Sequence, residues 1–158
     1  MSNGIKVKKR DGRIESLDLE KMHVMVEEAC RDLAGVSASQ VEMKSGIQFY
    51  DGVTTAEIQE ILIRAASDLI DLDHPNYQFV AARLLLFATR KSLYGRMKEL
   101  PNLVDHINSC VNARVYDNAI YAKYSLEEIQ KADSWLDHTR DFYFTYAGLR
   151  QVRSEERR

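Results

Sequence analysis

KKRDGRIESLDLEK, residues 8–21, decides the reading of this chain. Three consecutive cations, Lys8, Lys9 and Arg10, run into Asp11-Gly12. That dipeptide is a strong hairpin signal, because glycine tolerates positive φ. Upstream, Ile5-Lys6-Val7-Lys8 alternates apolar and polar residues at strand spacing. Downstream, Arg13-Ile14-Glu15 returns as a second short strand. A two-stranded hairpin is marginal in water and needs something to pack on. The support follows directly. Asp18 is a good N-cap, and Leu19, Met22, Val26, Ala29, Cys30 and Leu33 recur at helical spacing.

Working outward, a second helix is expected over Ser39–Phe49, and Asp51-Gly52 turns the chain again. Thr54-Thr55-Ala56-Glu57 has the capping-box pattern, and Ile58, Ile61, Leu62, Ala65, Ala66 and Leu69 follow on one helical face. A fourth helix is expected to start at Asp73-His74-Pro75, with proline tolerated in the first turn. It turns Val80, Ala81, Leu84, Phe87 and Ala88 inward and reaches Tyr94. Gly95 and Pro101 mark a boundary. The expected fold is mainly α: a small β cap on about four helices over 1–95. Shorter helices follow over 96–158, at Asn102–Asn112, Leu126–Lys131 and Phe142–Val152. This second stretch holds Trp135 and many tyrosines but closes no obvious core of its own. The polar tail SEERR is expected to fray.

The chain has 158 residues, which at that length bury roughly 70% of the unfolded surface without disulfides or metal. With 22 basic and 24 acidic residues the formal net charge is −2, so nucleic acid is not an expected partner and any anion site is local. The two cysteines, Cys30 and Cys110, have no zinc-site spacing, and Cys30 reads as a buried free thiol. No apolar run reaches a membrane span, and no signal peptide opens the chain. A cytoplasmic protein is expected.

The hairpin sets Lys9 and Arg10 at its tip, with Lys21 one turn into the first helix. Cations converging on a helix N-terminus form a phosphate site. Glu15 and Asp18 beside them are acceptors suited to an adenine amino group or a ribose hydroxyl. The alternative is a set of solvated strand ends with weak surface pairs. No GxxxxGK[ST] or GxGxxG fingerprint is present. Asp137-His138 with Arg140-Asp141 reads as capping or ion pairing before acid–base chemistry, and His23 and His106 have no partner at ligand spacing. Arg90-Lys91 ends the fourth helix, where the dipole favours cations.

In order, KKRDGRIESLDLEK, SQVEMKSGIQFYDGVTTAEIQE, HPNYQFVAARLLLF and RKSLYG resemble the N-terminal ATP-cone of the large (α) subunit of class Ia ribonucleoside-diphosphate reductase. YDNAIYAKYSLEEIQKADSWLDHTRDFYFTYAGLRQV is similar to the start of that subunit's helical region. The resemblance implies an allosteric domain in which ATP sustains deoxyribonucleotide synthesis and dATP inhibits it, each with Mg²⁺ carried on its phosphates. Val7, Lys9, Arg10, Glu15, Leu17, Asp18, Lys21, Met22, Phe49, Thr55, Ile58, Gln59 and Lys91 would line the site. Lys9, Arg10 and Lys91 would hold phosphates, and Lys21 would join them or reach the nucleotide from the helix start. Glu15 and Asp18 would sit by the base. Thr55 and Gln59 would lie near the sugar or phosphates, and Val7, Leu17, Met22, Phe49 and Ile58 would form apolar walls. Asp18 stands where relatives can have Asn, and Gln59 where they can have His. The family's catalytic barrel and reactive cysteines have no counterpart in the sequence, so no turnover is expected from it alone. A zinc-ribbon repressor that also carries a cone would need four zinc-binding cysteines. The implied partners are the nucleotide, the rest of the large subunit, the small (β) radical-bearing subunit and further copies of the chain. The alternative is a helical interaction module that has lost nucleotide binding.

Overall fold

The computed structural model describes residues 4–155. The architecture is a small sheet followed by helices, as the sequence implies. Strands β1 (Lys6–Lys8) and β2 (Ile14–Ser16) form the expected hairpin, with Val7 opposite Glu15. A third strand, β3 (Val53–Thr54), adds to β1 in parallel, with Val7 opposite Val53, giving the order β2-β1-β3. The Asp51 carboxylate welds this addition by accepting from the Lys6 N–H at 2.8 Å, and the Gly52 N–H donates to the Lys6 carbonyl at 2.9 Å. Gly52 has φ +87°, a conformation costly for any residue with a Cβ.

Four helices carry most of the core: α1 (Leu19–Cys30), α2 (Ala38–Gly46), α3 (Thr55–Ser67) and α4 (Tyr77–Tyr94). Met22, Val26 and Ala29 of α1, Val41 of α2, and Leu62, Ile63, Ala65 and Ala66 of α3 are buried. So are Val80, Ala81, Leu84 and Phe87 of α4. Leu19 departs from its expected inward place and is 61% exposed. Side chains in a helix lean toward its N-terminus, so a first-turn residue points off the end of the packed stripe. Cys30 is only half-buried. Helix α2 stops before Phe49 because, past Gly46, three-residue bonds take over: Gln48 N–H to the Ser45 carbonyl at 2.9 Å and Phe49 N–H to the Gly46 carbonyl at 3.4 Å. Helix α4 starts later than Asp73 for a similar reason. The Asp71 carboxylate accepts from the Asp73 and His74 N–H groups at 2.9 and 2.6 Å, a local turn that competes with the helix.

The chain divides into two compact units, one of residues up to 89 together with those from 142 onward, the other of residues 90–141. In the first, Arg83 closes α1, which has no cation in its own last turn. Its guanidinium donates to the Ala29 and Arg31 carbonyls at 3.1 and 2.6 Å. The guanidinium also lies 5.4 Å from the ring centroid of Phe142, which meets Phe87 edge-on at 6.0 Å. Helix α8 (Tyr146–Glu155) belongs to the same unit.

The second unit holds α5 (Leu103–Asn112), α6 (Ile120–Lys123) and α7 (Leu126–Asp133). The short α6 is an addition to the expected elements. Ile107 and Ile129 are the buried aliphatics of this unit, each 6% exposed. Polar contacts do much of the rest. Asp133 accepts from the Leu103 N–H at 2.7 Å, and the buried Arg90 donates to Asp141 at 2.6 Å. His106 approaches the Tyr94 hydroxyl through Nδ1 at 3.2 Å and Cys110 Sγ through Nε2 at 3.6 Å. Among the described residues no helix is long and apolar enough to cross a membrane.

Candidate functional site

The hairpin tip is built by its turn chemistry. Gly12, at φ +86°, lets the chain reverse. Its N–H then donates to the Lys9 carbonyl at 3.0 Å, and the Lys9 N–H donates to the Arg13 carbonyl at 2.8 Å. Arg13 latches the turn, reaching Asp11 at 2.7 Å and Glu15 at 3.3 Å. The Arg13 guanidinium beside Asp11 holds that carboxyl below its ordinary range, chiefly through the side-chain hydrogen bond. Arg13 was not among the expected site residues; the Asp-Gly-Arg spacing was its only signal.

The next layer alternates in charge. Lys9 Nζ lies 3.2 Å from Glu15, across the hairpin. Asp18 caps α1, accepting from the Lys21 N–H at 3.0 Å, and its other oxygen lies 3.2 Å from Lys21 Nζ. The Asp18 carboxyl is held below its ordinary range, first by the Lys21 N–H, then by the Lys21 side chain, with the Lys9 charge contributing. Lys9, Glu15, Asp18 and Lys21 are therefore electrostatic neighbours. The pairs are exposed, so each contributes little to stability. Their side chains are ready to exchange partners at little cost. Leu17 carries β2 into α1, with its N–H on the Ile5 carbonyl at 2.8 Å, and Met22 is buried one turn further on.

Strand β3 leads from the paired β1 straight into α3, which sets the second wall. Thr54 and Glu57 complete the capping box, with Thr54 N–H to Glu57 at 2.8 Å and Glu57 N–H to the Thr54 hydroxyl at 3.1 Å. The Tyr50 hydroxyl donates to the other Glu57 oxygen at 2.9 Å, and it too was missed from the sequence. The Thr54 bonds, followed by the Tyr50 one, hold the Glu57 carboxyl below its ordinary range. Thr55 opens α3, with Ile58 and Gln59 a turn along, and Phe49 is half-buried before the turn. Gln59 is 8% exposed, and its amide makes no hydrogen bond to any described residue. Its amide atoms still reach solvent, since Arg83 Nε is the fully buried side-chain polar atom left without a partner among the described residues.

Val7, Lys9, Glu15, Leu17, Asp18, Lys21 and Met22 thus lie along one continuous hairpin–helix segment. Phe49, Thr55, Ile58 and Gln59 flank β3, the strand paired to it. Arg10 is exposed in the turn. Lys91 sits in the last turn of α4, in the second unit. Val7, Met22, Ile58 and Gln59 are buried, whereas the lysines and carboxylates of the hairpin and of α1 are at least partly exposed. Among the described residues no group of three or more His, Cys, Asp or Glu side chains is placed to hold a metal. Asp137 and His138 take the capping and pairing roles. Asp137 accepts from the Thr139 N–H at 3.0 Å, and His138 shares the Asp141 carboxylate with Arg90.

The hairpin, α1, β3 and α3 fall within residues 5–92, which match the family model described as the ATP cone domain. The match covers more than half of the chain, and the chain belongs to the ATP-cone family. Over 152 residues it is 45% identical to the "Ribonucleoside-diphosphate reductase 1 subunit alpha" of Escherichia coli (strain K12), covering 96% of this chain and 20% of that protein. It is 43% identical to the "Ribonucleoside-diphosphate reductase subunit alpha" of Haemophilus influenzae over the same shares. The corresponding subunit of Enterobacteria phage T4 is 41% identical over 153 residues. The chain spans about one fifth of the length of these relatives.

Proposed function

We propose that this chain is the ATP- and dATP-sensing regulatory portion of a ribonucleoside-diphosphate reductase large subunit, with ATP supporting and dATP inhibiting deoxyribonucleotide synthesis. The observation that carries the reading is the coincidence of the ATP-cone match with the Lys9–Glu15–Asp18–Lys21 cluster. In this reading Lys9 and Arg10 hold the phosphates, with Lys21 beside them, and Mg²⁺ rides on the phosphates. Taking Lys9 and Lys21 onto phosphate releases Glu15 and Asp18 from their present pairs. Those carboxylates then accept from the adenine amino group and nearby hydroxyls. Gln59 and Thr55 face the sugar, where the two nucleotides differ by one hydroxyl. Val7, Leu17, Met22, Phe49 and Ile58 exclude water from the ring. We assign residues 1–95 to this sensor and 96–158 to the start of the helical region. Its partners are the rest of the large subunit, the small subunit and further copies of the chain, in the cytoplasm.

Titration calorimetry with ATP and with dATP, each with Mg²⁺, tests the reading. Lys9→Ala is expected to weaken both by about tenfold or more, the loss of one charge-assisted hydrogen bond. Gln59→Ala is expected to change the ratio of the two affinities. Binding unaltered in Lys9→Ala would remove the hairpin from the phosphate site. A second reading, an interaction module without nucleotide binding, is favoured by the exposed Trp135, Tyr121 and Tyr124. It takes first place if neither nucleotide gives heat or a thermal shift.

A further inference from the structure

Away from the hairpin, Glu60 of α3 and Arg150, Arg153 and Ser154 of α8 line an open cleft of about 290 Å³. All four belong to the first compact unit. The volume lies just below the ~300–1,000 Å³ typical of drug-sized ligand sites, which suits a small metabolite. Two features set it apart from a solvated helix face. No carboxylate pairs with either guanidinium among the described residues, and Glu60 itself makes no ion pair there. Arg150 instead rests 5.8 Å from the ring centroid of Tyr146, which holds the side chain in place without neutralising it. The Ser154 hydroxyl donates to the Gln151 carbonyl at 2.8 Å, so its oxygen is left to accept. The cleft thus offers two cations on one wall and two acceptors, the Glu60 carboxylate and the Ser154 oxygen.

We propose that this cleft binds a small phosphomonoester carrying free hydroxyl groups, such as a sugar phosphate. Planar guanidiniums three residues apart on one helix match the oxygens of a phosphate. A carboxylate repels phosphate, and its place in the same cleft selects a ligand whose other end donates hydrogen bonds. Bare phosphate satisfies half of the site, and a neutral sugar the other half. The site is separate from the proposed nucleotide site and does not depend on that reading. Glu60 follows Gln59 directly on α3, so the two sites share one helix.

The test is an NMR titration of the full chain at constant ionic strength, following backbone amides and arginine Nε–H resonances. The probes are glycerol 3-phosphate and methyl phosphate. The expected result is saturable shifts at Glu60, Arg150, Arg153 and Ser154, with glycerol 3-phosphate the tighter ligand. The double variant R150A/R153A weakens binding by about tenfold or more, and Lys9→Ala leaves it unchanged. Glu60→Gln tightens methyl phosphate and narrows its gap to glycerol 3-phosphate. Three results overturn the proposal: shifts that sodium chloride reproduces without saturation, shifts confined to the hairpin, or undiminished binding in the double variant. The substituted side chains lie on a helix surface, and an unchanged amide spectrum of the free variants establishes that they fold.

Discussion

The two compact units use the same local devices and opposite means of cohesion. Helices α3 and α7 both begin with a capping box: Thr54 with Glu57, and Ser125 with Glu128. The cap N–H bonds are 2.8 Å in both. The difference lies in what the helices bury. In the first unit, Leu62, Val26, Val41, Val53, Val80 and Leu85 are fully excluded from water. In residues 90–141 the buried aliphatics are Ile107 and Ile129, and Trp135 is 72% exposed. Burial is the dominant favourable term in folding. The first unit is therefore held by its core. The second leans on caps, aromatic contacts and the Arg90–Asp141 pair. Capping signals alone do not reveal which kind of unit follows them.

The largest expected effect separates the two by core deletion. Leu62→Ala should cost about 2–5 kcal/mol, because the packed neighbours cannot close the cavity. Ile129→Ala should fall at about 2 kcal/mol or below, since a thin shell relaxes more readily. Urea unfolding of both variants decides. Equal losses would show that the second unit has a core as rigid as the first.

Next in size is Arg90→Met. Arg90 is 8% exposed in its side chain and Asp141 30%, so Asp141 would be left half-buried with His138, at 3.3 Å, as its remaining partner. Water reaches that carboxylate, and the cost is about 1–3 kcal/mol, less than for a fully buried pair. The melting of the second unit, followed by Trp135 fluorescence, should shift more than that of the first. A uniform shift would mean that the pair stabilises the whole chain equally.

Smaller again are the caps. Thr54→Ala and Ser125→Ala should each cost about 1 kcal/mol. Glu57 has a second anchor in Tyr50, whereas Glu128 has bonds to Ser125 alone. Hydrogen exchange at the first turns of α3 and α7 should therefore speed up more in Ser125→Ala. Equal acceleration would deny Tyr50 its bracing role.

What was legible follows from range. The Asp11-Gly12 turn, the Asp18 cap and the Thr54–Glu57 box are contained within four residues, and each could be read directly. The parallel strand Val53–Thr54 is too short to carry a period, and its partner Val7 is distant in sequence. Arg83 sits in an apolar helix, and nothing local tells that its guanidinium ends α1. Tyr77 is 1% exposed, with its hydroxyl donating to Gln40 at 2.6 Å and accepting from the Ser37 N–H at 3.0 Å. Those contacts also depend on tertiary packing. At the candidate site, the lysines and carboxylates were visible as types. Their pairing, Lys9 with Glu15 and Lys21 with Asp18, needed the hairpin's register and the start of α1.

The smallest effect is a pH dependence confined to the first unit. His23 on α1 sits between two carboxylates: Glu42 of α2 at 2.7 Å from Nδ1 and Glu27 of its own helix at 3.2 Å from Nε2. The Glu42 hydrogen bond, then the Glu42 charge, then Glu27 raise the His23 pKa above its ordinary 6.5, while desolvation opposes them. A raised folded-state value means that the protonated form favours folding. The contribution is complete below pH about 6.5 and disappears as pH rises through the folded value. Urea midpoints at about pH 6 and pH 8.5 should differ more in the native chain than in His23→Gln. Glu42→Gln should flatten the dependence more than Glu27→Gln, following the order of their influence. If His23→Gln keeps the native pH slope, the first unit's cohesion owes nothing to this charge pair.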